Sequence, residues 1–328
     1  MPLSSRFFRF GRQAAMALLG AALVPAALAW TDKPVKLLVP APAGGTMDVI
    51  ARMLADQLAA DTGQPMIVDN RPGAGGAIAV QALRSAPADG QTLMVTASNV
   101  LTEIPHVLKV GFDPIKDVKA IGIIARANMV MIAAPNVPAK DFKSFVAYAK
   151  KQPGNLSFAS YSTGTISQYT GMILNQKAGL DLQHVPFQGS PPGLAQVMGG
   201  QIPVMFDGFA TSRTLIATGK VQAYAVASKA RLSQLPEVPT FTELGYPDID
   251  FSNWLGVVAS ATMPAELQEK IHKAVRAVAA NPKFRGRMFA AGFEAAEDWS
   301  IAQLTQSVRA DFERNGAIVK QFNIRLNQ

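Results

Sequence analysis

The stretch Val35-Lys-Leu-Leu-Val39-Pro40-Ala41-Pro42-Ala43-Gly44-Gly45-Thr46-Met47-Asp48 joins a strand, a glycine turn and the start of a helix. Val35–Val39 is a short apolar run of strand length. Val49, Ile50, Met53, Leu54 and Leu58 then recur at helical spacing, and Gly63 closes the helix. The same grammar repeats along the chain. Met66–Val68 reads as a second strand, Gly73-Ala-Gly-Gly76 turns into a small-residue helix around Ile78–Leu83, and Leu93–Ala97 is a third strand. Ile121–Ala133 is apolar and longer than an ordinary strand. A helix over Phe142–Lys151 precedes strand Leu156–Ala159, which enters Ser160-Tyr161-Ser162-Thr163-Gly164-Thr165 and a helix running to about Ala178. Strands follow at His184–Phe187, Val204–Asp207, Ala223–Ala227 and Trp254–Ala259. Helices Pro264–Ala279 and Pro282–Ala291 come next, and a last helix opens on Ser300 with Gln303 as a capping box. This alternation predicts an α/β protein with mostly parallel sheets flanked by helices.

The 328 residues suit two domains of ordinary size. Crossings of the chain near 122–130 and 221–228 would give residues 30–125 and 227–328 as lobe 1 and 126–226 as lobe 2. Composition excludes several chemistries. There is no cysteine, which removes disulfides, thiolate metal sites and thiol nucleophiles together. The three histidines, His106, His184 and His272, stand at unrelated spacings. A chain that is 49% hydrophobic and 16% charged is not disordered.

Residues 1–29 read as a secretory signal: Arg6, Arg9 and Arg12, the apolar run Ala14–Val24, Pro25, and the small-residue site Ala27-Leu28-Ala29. Cleavage after Ala29 would export the chain to the periplasm. It would also remove three of 31 Lys plus Arg, leaving 28 against 23 acids, or +5 in place of +8. That mild charge is dispersed, and nucleic acid is a poor partner.

Two loops carry the candidate chemistry. In Ala41, Ala43, Gly44, Gly45, Thr46 and Asp48, glycines let a ligand approach the backbone, and the amides at the helix start favour an anion. Asp48 caps those amides or bonds a donor on the ligand. In the second loop Ser160, Tyr161, Thr163, Gly164, Thr165 and Gln168 offer hydroxyls and amides that grip a carboxylate without a cation. A nucleophilic serine there lacks the G-x-S-x-G spacing and an identifiable His-plus-acid partner. Gly73–Gly76 lacks the dinucleotide spacing and reads as structural. Ser98 follows the third strand. Asp207 ends its strand, where open α/β sheets bind ligands, or caps the next helix. Trp254 reads as core. No cofactor loop is present.

Trp30-Thr-Asp-Lys-Pro-Val-Lys-Leu-Leu-Val-Pro40, Ala43-Gly-Gly with Asp48, Ala51-Arg52 and Val68-Asp-Asn-Arg-Pro-Gly-Ala-Gly-Gly76 resemble the Bug-type solute receptors of tripartite tricarboxylate transporters. The ordered match continues through Asp89-Gly90, His184-Val-Pro-Phe, Gly189-Ser190, Gly199-Gly-Gln201, Met205-Phe-Asp207 and Leu235-Pro-Glu-Val-Pro-Thr240. The resemblance implies a type II periplasmic-binding-protein fold, with two α/β lobes joined by two crossing strands around a ligand cleft. It implies a monomeric, non-catalytic receptor without cofactor, which delivers a small carboxylate to membrane subunits. A receptor feeding a membrane signalling protein is the alternative. The two loops become pincers on the carboxylate, and Ser190 joins the candidate set.

Several positions depart from the family pattern. Ala41 stands where a large aromatic residue is usual, implying a roomier pocket for a bulky or aromatic acid. Gln168 stands where His is frequent, and Ser162 replaces a glycine. Glu103, near a position often Asn, adds a negative charge whose orientation the sequence leaves open.

Overall fold

The computed structural model describes residues 28–326; most of the expected leader, residues 1–27, lies outside them. In chain order the elements are β1 (Val35–Val39), α1 (Thr46–Thr62), β2 (Met66–Asn70), α2 (Ala77–Ser85), β3 (Thr92–Ala97), α3 (Asn99–Thr102) and β4 (Val118–Ala133). Next come α4 (Phe142–Ala149), β5 (Leu156–Ser160), α5 (Ile166–Ala178), β6 (Leu182–Pro186), α6 (Ser190–Met198), β7 (Val204–Gly208), α7 (Phe209–Ala217) and β8 (Gln222–Ala227). The chain closes with β9 (Ser252–Ser260), α8 (Ala265–Ala280), α9 (Pro282–Ala290), β10 (Glu294–Ala295) and α10 (Ile301–Gln321). The predicted strand–helix alternation is therefore present, and the sequence-level boundaries fall within a few residues of these.

The strands form two sheets that share β4. In the first, β2, β1 and β3 run parallel, and β9 joins β3 to β4 by antiparallel pairing. In the second, β7 and β8 flank residues 129–133 of β4, and β5 and β6 extend the sheet in parallel. This explains the length of the apolar run. Residues 118–128 pair with β9 in one sheet, and the next five serve the other. Helices α1, α8 and α9 cover one face of the first sheet around Leu37, Leu54, Val257 and Val275. The other face packs Leu38, Val80, Val258 and the fully buried Trp254 against α10, so Trp254 is core, as its sequence context suggests. The second sheet has its own core around Phe145, Phe158, Phe206 and Val226.

The lobe boundary is displaced from the sequence expectation. Leu232, Phe241, Ile249 and Phe251, expected in lobe 1, are buried with the core of the second sheet. Phe241 N bonds the Val226 carbonyl at 3.0 Å, which ties this segment to β8. The second link between the lobes therefore enters β9 near Ser252. A third link was not foreseen: α10 packs Leu304 and Val308 on lobe 1, while Ile318 and Ile324 reach the lobe 2 core. At 1.5 Å per residue, a helix of this length spans roughly 30 Å, enough to bridge both lobes.

The backbones of β4 and β9 approach closely at their shared register shifts. A side-chain carbon at Gly256 would stand 2.2 Å from the Gly122 carbonyl oxygen, and one at Gly122 would stand 2.6 Å from Val275. Backbone cannot retreat cheaply. Gly256→Ala is expected to lower the free energy of unfolding by about 2–3 kcal/mol, measured by urea denaturation; an unchanged midpoint would contradict the close approach.

Candidate functional site

Ligands of open α/β sheets bind beyond the carboxyl ends of the parallel strands. Here those ends are the loops after β1 and β3 on lobe 1 and after β5, β6 and β7 on lobe 2. The two glycine loops singled out in the sequence are built alike. Gly44 and Gly164 both take positive φ, +80° and +75°. Each amide donates to the side chain four residues on: Gly44 N to Asp48 Oδ2 at 2.9 Å, and Gly164 N to Gln168 Oε1 at 2.8 Å. Gly45 and Thr165 then cap α1 and α5 in extended geometry, with no side chain closing either helix start. The leading amides of α1 are left to face an anion, whereas the first amide of α5 is already taken by the Glu103 carboxylate.

Asp48 is a staple of its loop. Besides Gly44, it accepts from Arg52 Nε at 3.0 Å and Asn70 Nδ2 at 3.0 Å, and Asn70 also donates to the Ala41 carbonyl. The Arg52 hydrogen bond, followed by that of the Gly44 amide, holds the carboxyl down at about 2. Its hydrogen bonds go to the loop amide of Gly44 and to Arg52 and Asn70, so it caps no amide of α1 itself. Ala43, Gly44 and Thr46 are exposed, while Ala41 and Gly45 are half-buried.

In the second loop most hydroxyls are used internally. Ser160 donates to the Ser162 carbonyl, Thr165 to the same carbonyl, and Ser167 to the Phe206 carbonyl. Tyr161 is held through its backbone, its amide donating to Ser167 Oγ and its carbonyl accepting from Gly189. Thr46 and Thr163 thus remain as the candidate hydroxyls with no internal role, and the loop offers a ligand mainly backbone amides.

His184, not placed near any serine by sequence reasoning, lies with Nε2 2.7 Å from Ser160 Oγ. It is not poised as a base. Gln168 Oε1 already accepts from Gly164, so Gln168 Nε2 donates to His184 Nδ1 at 3.3 Å. Nε2 then carries the proton and donates to Ser160, whose own hydroxyl points to Ser162. Burial holds the ring pKa down at about 4, so it stays neutral. Gln168 therefore positions the loop through Gly164 and His184 and adds no charge.

Asp207 is fully buried, and its oxygens accept from Ser190 Oγ and, at 2.6 Å, from Thr211 Oγ1. It joins the start of α6 to the first turn of α7. Ser98 is likewise engaged: its hydroxyl donates to Asn253 Oδ1 and accepts from Trp254 N at 3.2 Å. Beside it, Glu103 is fully buried and reaches across the lobes to accept from Ile166 N, the first amide of α5, at 2.9 Å. The Gly73–Gly76 run is structural, as expected. Side-chain carbons at Gly75 and Gly76 would stand 2.5 Å from Ile104 and 2.7 Å from Val100, so the run lets the segment carrying Glu103 pack closely.

The structure thus brings the first-loop residues together with Asn70 and Arg52, and the second-loop residues together with His184 and Glu103. Arg52 was legible as a helical neighbour of Asp48, four residues on. His184, Asn253 and Thr211 carried no local signal. A groove behind the crossing strands, lined by Arg126, Glu297, Trp299 and Arg314, is a poorer candidate, because Arg126 is already paired with Glu297 at 2.7 Å and lies over the Trp299 ring. No group of three metal-ligating side chains is present among the described residues.

Residues 50–324 match the family model described as tripartite tricarboxylate transporter family receptor. A protein of Agrobacterium vitis is 31% identical, covering 89% of this chain and 85% of its own. The solved structure of the periplasmic binding protein BugD superposes with a TM-score of 0.75 at 29% identity, covering 90% of this chain and all of that one. An R. palustris protein solved with adipate gives 0.78 at 26% identity, again over 90% of this chain and all of its own.

Burial raises the Glu103 carboxyl to about 7 and the Asp207 carboxyl to about 6. Both lie above their unfolded values. The stability they contribute is complete below pH of about 4 and is lost as pH rises through 6 to 7. These two carboxyls should raise the melting temperature between pH 7.5 and pH 5, against an opposing loss from His184, whose ring pKa is lowered by burial. Glu103→Gln keeps an acceptor for Ile166 and removes the titration. The variant should melt with the parent near pH 5 and be more stable at pH 7.5, by on the order of 2–3 kcal/mol. Parallel melting profiles for the two proteins would contradict this.

Proposed function

The chain belongs to the tripartite tricarboxylate transporter receptor family, and on that premise we propose that it captures a small organic carboxylate between its lobes and delivers it to the membrane subunits of such a transporter. The observation that carries the reading is the pair of matching loops. Two glycine turns, one on each lobe, are each braced by the side chain four residues on, and the start of α1 carries no side-chain cap. Amides held this way attract a carboxylate and need no ligand-reading cation. Their bracing by Asp48 and Gln168 means that little ordering remains when the ligand arrives. The adipate bound by the R. palustris relative supports the chemical class.

The family is one of periplasmic receptors, and the leader at residues 1–29 supports export of this chain. No helix among the described residues is long and apolar enough to cross a membrane. The donor role of His184 toward Ser160 speaks for binding over catalysis. The small side chain of Ala41 beside the first loop supports a bulky or aromatic acid as the ligand, which lobe closure by hinge motion would enclose.

The direct test is a thermal-shift screen of carboxylates on the mature protein. A ligand at a hundredfold excess over Kd adds about 2.7 kcal/mol to stability. A hit recovered chemically unchanged supports the receptor, whereas turnover would refute it.

Two substitutions probe the first loop. At Gly45 a side-chain carbon meets only the Pro42 carbonyl oxygen, at 3.2 Å, and the Pro42 ring. Gly45→Val should therefore shift the Pro42 carbonyl slightly, fold with a modestly lower melting temperature and lose binding by calorimetry; normal affinity would remove the loop from the site. Ala41→Phe should weaken a bulky acid by about tenfold or more while sparing a short one. Equal effects on both acids would discard the roomier-pocket reading.

A further inference from the structure

Glu103 is a buried acid placed between the lobes. It follows α3 on lobe 1, yet its Oε2 accepts from the first amide of α5 on lobe 2. Its Oε1 has no hydrogen-bond partner among the described residues. The segment around it is held firmly. Ser98 anchors the start of α3 to β9, Asn315 Nδ2 donates to the Thr102 carbonyl at 3.0 Å, and Gly75 and Gly76 press on Ile104 and Val100. Four residues on from Glu103, Val107 packs so tightly against Gly164 of the facing lobe that a side-chain carbon at Gly164 would stand 2.5 Å from it. Tyr161 and Tyr169 lie close enough for the Glu103 charge to act on their hydroxyls. Asn253 approaches the carboxylate, while the field of Arg314 is opposed by that of Asp311.

A carboxylate is therefore already seated at the start of α5. Burying a charge with one oxygen unpartnered is costly unless function retains it. A second carboxylate brought to the same helix start would meet like charge at short range in a water-poor site. We propose that Glu103 is the specificity-determining residue of the cleft: it occupies the place at α5 that a second ligand carboxylate would take, so the receptor selects acids with a single carboxylate, whose other end is uncharged and carries a hydrogen-bond donor. The ligand's carboxylate then goes to the open helix start of α1, and its donor end answers the unpartnered Oε1. The proposal rests on the carboxylate-receptor reading and sharpens it, because it separates this chain from a relative that binds a diacid.

The test uses calorimetric titration of the mature protein at pH 8. Its probes are unbranched diacids of four to eight carbons and the ω-hydroxy monoacids of the same lengths. In the parent protein the best hydroxy acid should bind at least about a hundredfold tighter than the diacid of its length. In Glu103→Gln that gap should close to within about tenfold, through tighter diacid binding. Glu103→Met, which lacks both charge and acceptor, should also gain the diacid, and its melting curve reports whether the interlobe contact itself is needed for folding. Equal affinity for diacid and hydroxy acid in the parent would overturn the proposal, as would an unchanged gap in both variants. Failure of every acid to bind any of the three proteins would overturn the receptor reading along with it.

Discussion

The two lobes hang from one strand. Residues 118–128 of β4 belong to the first sheet and residues 129–133 to the second, so a single continuous backbone fixes where the carboxyl ends of both sets of parallel strands lie. The segments after β3 and β5 meet across the lobes beside that shared ladder. The link into β9 and the bridging helix α10 secure the same relation from other directions. Gly122 and Gly256 mark where this constraint is tightest. There the two backbones come within the space of a side chain.

Upon that frame the site is assembled from neutral and internally paired groups. Arg52 is spent on Asp48, and the second loop is braced by Gln168, His184 and hydroxyls that bond their own backbone. Attraction for a carboxylate then comes from oriented amides, whose partial charges are fixed before binding and cost no rearrangement. The arrangement is also selective. Placing a protein carboxylate at one helix start makes the two halves of the pincer unequal, although their loops share the same geometry.

Much of this was legible in the sequence. Gly44 with Asp48, and Gly164 with Gln168, stand at strand-to-helix junctions, where positive φ and a first-turn side chain are local properties. The apolar run ending at Ala133 announced its length without announcing its cause, because sharing between sheets is a property of pairing. What could not be read involves contacts far apart in the chain. Glu103 meets the amide of residue 166, and Ser160 meets His184 across a strand pair. Nothing in the residues near either position sets their orientation. The lobe boundary was misplaced for a related reason. The segment from Leu232 to Phe251 contains no regular element that alternation could follow, yet its scattered large side chains fill the second core.

The central claim is that the ligand's carboxylate is held by backbone amides of the first loop while its other end is enclosed at the second. Hydrogen–deuterium exchange of the mature protein, with and without a saturating acid found in the screen, tests it most directly. The account predicts new protection at the peptides covering residues 43–48 and 162–168, with the groove at Arg126 and Arg314 unaffected. Protection at that groove alone, with both loops exchanging as before, would contradict it.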